Sequence, residues 1–148
     1  MYKILTLALL ASALFGCSGN PTAVRGGEIA NKKLHESRSP VRVEVKVFDG
    51  GGAVMSEIWA GKKGKSIIQS ADEILKNDIV NSFKKCGFEA SSLKEVRVVE
   101  HKHPFYYEVW VFNDTESKRT DKMTGISLIL TFPKAGGTDI NLNGKCRA

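Results

Sequence analysis

What this chain lacks narrows it first. Its longest apolar run, Ile4 to Phe15, is about 12 residues, interrupted by Thr6 and Ser12; a membrane-spanning helix needs roughly 20. No serine stands in a Gly-x-Ser-x-Gly elbow, and the glycine-rich stretch Asp49-Gly50-Gly51-Gly52 lacks the lysine and hydroxyl of a phosphate loop. No arginine-rich stripe with interleaved aromatics is present, which argues against a nucleic-acid surface. There are no internal repeats. Histidine is scarce, and only His101 and His103 are close in sequence. As alternate residues of a strand they would face the same way and could share a metal. A third ligand would have to come from His35, far away in sequence, or from Cys146. Two solvated histidines at a hairpin end are the simpler reading, and no cofactor is expected.

What is present begins with Cys17. Residues 1–16 hold one cation, Lys3, no acid, and an apolar stretch that stops at Gly16. The length and charged start fit the h-region of a secretory signal. Leu14-Phe15-Gly16-Cys17 resembles the lipobox of bacterial lipoproteins, with Phe15 where that family usually has a small residue. The resemblance implies cleavage before Cys17 and acylation of the new N-terminus; two or more acyl chains hold a protein stably on a bilayer. Ser18, rather than Asp, after the cysteine implies passage to the outer membrane, facing the periplasm. An inner-membrane or cell-surface location stays open. The membrane is thus the first expected partner.

Removal of residues 1–16 takes away one of the 22 basic residues and none of the 16 acidic ones, so the net charge falls from +6 to +5. The excess is scattered. It suits anionic headgroups or cell-wall polymers, or simply a soluble face with more lysine than acid. Cys86 and Cys146 remain. An even pair in an oxidising compartment suggests one disulfide, worth about 4 kcal/mol in the chain-entropy model for a loop of about 60 residues; two free thiols are the alternative.

Residues 17–40 read as a lipidated N-terminus and flexible tether, broken by Gly19-Asn20-Pro21, Gly26-Gly27 and Ser37-Arg38-Ser39-Pro40; a short helix over Glu28 to Glu36 is the alternative, without a strong apolar face to support it. Such a leash would let the domain stand off the bilayer. A single domain over 41–148 follows. Val41, Val43, Val45 and Val47 alternate with Arg42, Glu44 and Lys46, the signature of a half-buried strand. A second strand is expected over 53–60, linked through Gly50–Gly52, then a basic turn over 61–65. Ile68, Ala71, Leu75, Ile79, Phe83 and Cys86 recur at steps of three and four and predict one amphipathic helix. Ser66 with Gln69 and Ser70 with Glu73 compete as its capping box. Gly87 and Phe88 predict a Schellman closure. Strands are expected over 95–101, 105–112 and 125–132, with a short last one at Ile140 and Leu142. The order β-β-α-β-β-β predicts an α+β fold: one amphipathic helix on a mostly antiparallel sheet of about five strands. The strand at 105–112 is apolar on both faces and should be central, with its second face covered by the tether, the tail or a partner.

Lipobox, leash and a small α+β domain with a helix-Gly-Phe closure resemble several groups of small envelope lipoproteins, including the YajG-like group. That resemblance is architectural and assigns no functional residue beyond Cys17.

Glu44, Glu57, Glu95, Glu100 and Glu108 fall on strands, where two could face each other as acid and base; paired charges on a solvated sheet face are simpler. Cys86 sits on the apolar stripe, which disfavours a reactive thiolate. Trp59, Tyr106, Trp110 and Phe112 could form an apolar patch on the sheet face away from the helix, for a protein or cell-wall partner; a second layer of core is the alternative. The expectation is therefore a non-enzymatic, lipid-anchored binding or structural module of the envelope. The alternative is a protective inhibitor or immunity lipoprotein against an envelope-targeting hydrolase or toxin.

Overall fold

The computed structural model describes residues 19–147. Cys17 and the signal-like segment lie outside the described residues. Helix α1 (Pro21–Glu36) occupies most of the expected tether. Asn20 supplies the missing start signal: its Oδ1 accepts the Ala23 N–H at 3.0 Å, and Pro21 follows at the first helical position, where its absent N–H costs nothing. The glycine pair reads as a breaker but acts as a contact. A Cβ on Gly27 would lie 2.4 Å from Val45 Cγ2, so the bare backbone lets the helix press on the next strand.

That strand, β1 (Val41–Val47), pairs antiparallel with β2 (Ala53–Trp59) as an isolated two-stranded sheet. Gly50 and Gly51 take positive φ in the turn between them. Asn31 on α1 bonds both backbone groups of Val43, at 2.7 and 2.8 Å, so the helix occupies the outer flank of β1. Asn20 Nδ2 donates to Gly51 O at 2.9 Å. Helix α1 therefore runs from the hairpin tip towards the hairpin root.

The main sheet has the order β3-β4-β5-β6-β7, all antiparallel. Its strands are β3 (Lys62–Lys63), β4 (Leu93–Lys102), β5 (Phe105–Asn113), β6 (Met123–Thr131) and β7 (Asp139–Gly144). The expected basic turn thus contains a two-residue edge strand. The doubly apolar β5 is central, as its pattern requires. The fold is α+β, with two α-helices and two sheets among the described residues rather than one of each.

One face of the main sheet carries helix α2 (Glu73–Lys85), which buries Ile79, Phe83 and Cys86 against Trp110, Phe112, Ile126 and Leu128. Neither expected capping box starts it. Ser66 caps a preceding 3-10 turn (Ile67–Gln69), and Asp72 caps α2 itself by accepting the Leu75 N–H at 2.8 Å. Competition between local side-chain acceptors decided a boundary that spacing left ambiguous. The other end is a Schellman closure: Phe88 N–H bonds Phe83 O at 3.0 Å, Gly87 N–H bonds Lys84 O at 2.9 Å, and Gly87 takes φ +87°. Cys86 and Cys146 are disulfide-bonded, Cα to Cα 4.7 Å. Arg147 N–H adds a bond to Cys86 O at 2.9 Å.

The second face buries Tyr107, Val109, Val111 and Ile129. It is covered by the hairpin root: Trp59 and Ala60 pack there, and Tyr107 donates its hydroxyl to Ser39 O. Arg97 reaches the carbonyls of Ala60 and Gly61 at 3.2 and 2.8 Å.

Candidate functional site

The expected aromatic patch does not exist as one surface. Trp110 and Phe112 point towards α2 and are core: Phe83 stacks on Trp110 at 4.5 Å, and Phe88 on Phe112 at 4.8 Å. Tyr106 shares their face and meets Phe132 edge-on at 5.5 Å. Trp59 lies on the opposite face of the main sheet. The alternation along β5 places Tyr106, Glu108, Trp110 and Phe112 on the helix side, and α2 needs that apolar stripe for its own burial.

Glu108 is wholly buried in that core. Its Oε2 accepts from Ser66 Oγ at 2.6 Å and Trp110 Nε1 at 2.8 Å; its Oε1 accepts from Ile67 N–H at 2.6 Å and lies 2.7 Å from His101 Nε2. The group fastens the approach to α2 onto the central strand. A buried carboxyl with four partners is satisfied as a structural anchor. It also engages His101, while His103 lies in the turn beside Phe132, ring centroids 6.0 Å apart. Among the described residues no group of three or more His, Cys, Asp or Glu side chains could hold a metal ion. Of the other strand glutamates, Glu44 pairs with Lys46, Glu57 with Arg119, and Glu95 with Lys63 and Arg97. Burial pushes the Glu95 carboxyl up, but its two cations outweigh this and hold it below the ordinary range.

Trp59 does line a cleft of about 430 Å³, between the hairpin root, the β5–β6 loop and the tail at 145–147. Gly125 sets its floor. A Cβ there would come 2.6 Å from the Trp59 ring, so glycine lets the indole lie directly on the β6 backbone. Arg119 places its guanidinium 4.1 Å from the indole centroid, pairs with Glu57, and bonds Asp121 at 3.1 Å. Those bonds from Arg119 hold the Asp121 carboxyl below the ordinary range against a smaller effect of burial.

The loop over 114–122 is tied at its base. Buried Asp114 accepts from Thr124 Oγ1 at 2.6 Å, from Arg147 Nε at 3.0 Å and from Glu116 N–H at 3.1 Å. Burial raises the Asp114 carboxyl, and these bonds more than reverse it, leaving it depressed. Ser117 Oγ donates to Met123 O at 2.7 Å. At the rim, Lys118 and Lys145 are exposed, and among the described residues neither makes an ion pair. The exposed acids of the lining are Glu116 and Glu57, the latter paired with Arg119.

The cleft thus offers an aromatic wall, a loop tied at its base and two cations outside any ion pair. Arg119, Asp114, Lys118, Lys145 and Arg147 escaped sequence reasoning, because they lie in a polar loop and a tail that only the fold brings to Trp59. No family model, no curated protein and no solved structure matches this chain.

Proposed function

We propose that this chain is a lipoprotein of the cell envelope, acylated at Cys17 and held in the outer membrane facing the periplasm, whose domain acts by binding rather than by catalysis. The lipobox supports the anchor. The observation that supports a binding role is the cleft at Trp59, where a packed indole adjoins a pre-ordered loop and unpaired cations. Pre-ordering lowers the entropy cost of association, and packed aromatics are frequent anchors of interfaces. The expected partner is an envelope protein or cell-wall polymer presenting an acidic group beside an apolar one. The fixed, charge-bearing 114–122 loop also suits the protective alternative, in which the partner is an incoming hydrolase or toxin; a rigid loop is what an inhibitor presents.

The test uses the full chain expressed in a bacterial envelope. Affinity capture with the wild type should recover a partner that a Lys118→Glu, Lys145→Glu variant loses. Both positions are exposed, so stability should change by no more than about 0.5 kcal/mol. Equal recovery by both proteins would remove the cleft from consideration. Mass spectrometry of the N-terminal peptide should show acyl mass on Cys17; a chain retaining residues 1–16 would defeat the anchoring reading. An enzyme of cell-wall or toxin origin among the captured proteins would favour the protective alternative.

A further inference from the structure

We propose that the hairpin tip and the first turns of α1 sit in the headgroup region of the bilayer, so that the domain lies against the membrane by a built contact. The inference rests on acylation of Cys17. Cys17 and Asn20 are three peptide steps apart, so their Cα atoms are separated by at most about 11 Å. Asn20 is fixed by two bonds of one side chain. It caps α1 through Ala23 N–H and grips the hairpin turn through Gly51 O. An anchor at Cys17 is therefore confined to the tip end of the molecule.

That end is apolar and open. Phe48 is 53% exposed, Val54 52%, Met55 53% and Val24 40%. Met55 reaches α1, its Cε 3.6 Å from where a Gly26 Cβ would stand, which joins strand and helix into one surface. Arg25 and Lys46 are exposed at the same end, Lys46 also pairing with Glu44, and Asp49 is the acid of the turn. Apolar side chains flanked by Arg25 and Lys46 suit an interface in which the chains enter the acyl boundary and these two cations meet phosphates. A protein partner would suit the same residues. What favours lipid is the anchor, which brings the bilayer within three residues of this surface before any other molecule can reach it. The geometry then fixes a height. From Ala53 to Trp59 the strand rises about 20 Å, so the cleft stands that far from the tip.

The test uses the full acylated chain in vesicles of phosphatidylethanolamine and phosphatidylglycerol, some carrying brominated acyl chains. With Cys17 acylated and Cys86 bonded to Cys146, a Phe48→Cys variant offers one free thiol for a fluorescent label. Brominated lipid should quench this label, and one at Val54→Cys, at least two-fold more than a label at Ile74→Cys. Ile74 is 75% exposed on α2, across the main sheet from the hairpin. Acylated protein in which positions 48 and 54 are quenched no more than position 74 overturns the inference and leaves the anchor standing. Protein without acyl mass overturns both. Photo-crosslinking in cells from position 48 to an envelope protein, rather than to lipid, would reassign the tip to a protein partner and also overturn it.

Discussion

The main sheet with α2 and the hairpin with α1 obey different physics. The first buries a separate apolar cluster on each face of β5. In the second, Gly27 is the one buried residue of α1, and no residue of β1 or β2 is fully buried. The sheet is held by apolar area. The hairpin layer meets the sheet at its root through Trp59 and Ala60; beyond the root it is held by polar latches from asparagine side chains and by the close approach that glycine permits. A region held by few latches can open locally without global unfolding. The domain thus separates a part that supplies stability from a part free to serve as an attachment surface.

Substitutions should separate the two regions. Phe112→Ala, in the core, should cost about 3–5 kcal/mol and lower the midpoint of chemical denaturation for the whole domain. Glu108→Ala should cost about 3 kcal/mol, because it strands the Ser66, Ile67 and Trp110 donors inside the core; a loss below 1 kcal/mol would show that the anchor is dispensable. Asn31→Ala should cost about 1–2 kcal/mol and act locally. Amide exchange should accelerate over 21–47 while the β5 and β6 amides stay protected. If exchange rises equally in both regions, the two-part description fails.

The smallest effect concerns acid. Asp114 and Asp121 have depressed folded-state values, so they stabilise the fold above about pH 4, the unfolded aspartate range. That contribution is lost as the pH falls through the lower, folded-state values. Asp114→Asn should flatten this acid limb in thermal melts, and it should do so at the cleft loop rather than at the tip.

Legibility in the sequence followed the same division. The stripe from Ile68 to Cys86, the Gly87-Phe88 closure and the central β5 were readable because each local signal agreed with core burial. The valines of β1 were equally clear. Helix α1 was legible only in its second half, as a short helix over Glu28 to Glu36: its inward stripe is small or polar (Ala23, Gly27, Ala30, Asn31) before Leu34, and Gly26-Gly27 looked like a break. Asn20-Pro21 was the available clue. The role of Trp110 was misjudged because both faces of β5 are apolar, and alternation alone does not say which one meets the helix. Glu108 held a usable hint: an acid inside the run Tyr106 to Phe112 must find buried partners. The cleft was illegible because its residues come from four separated segments.

The double bond from Asn31 to Val43 has one further consequence. It closes one flank of the two-stranded ribbon, while among the described residues no strand pairs with the far flank of β2. Edge-to-edge addition can therefore occur on a single side. Growth of a filament requires two open sides, so ribbon addition would halt after one neighbour and could not propagate into a fibre.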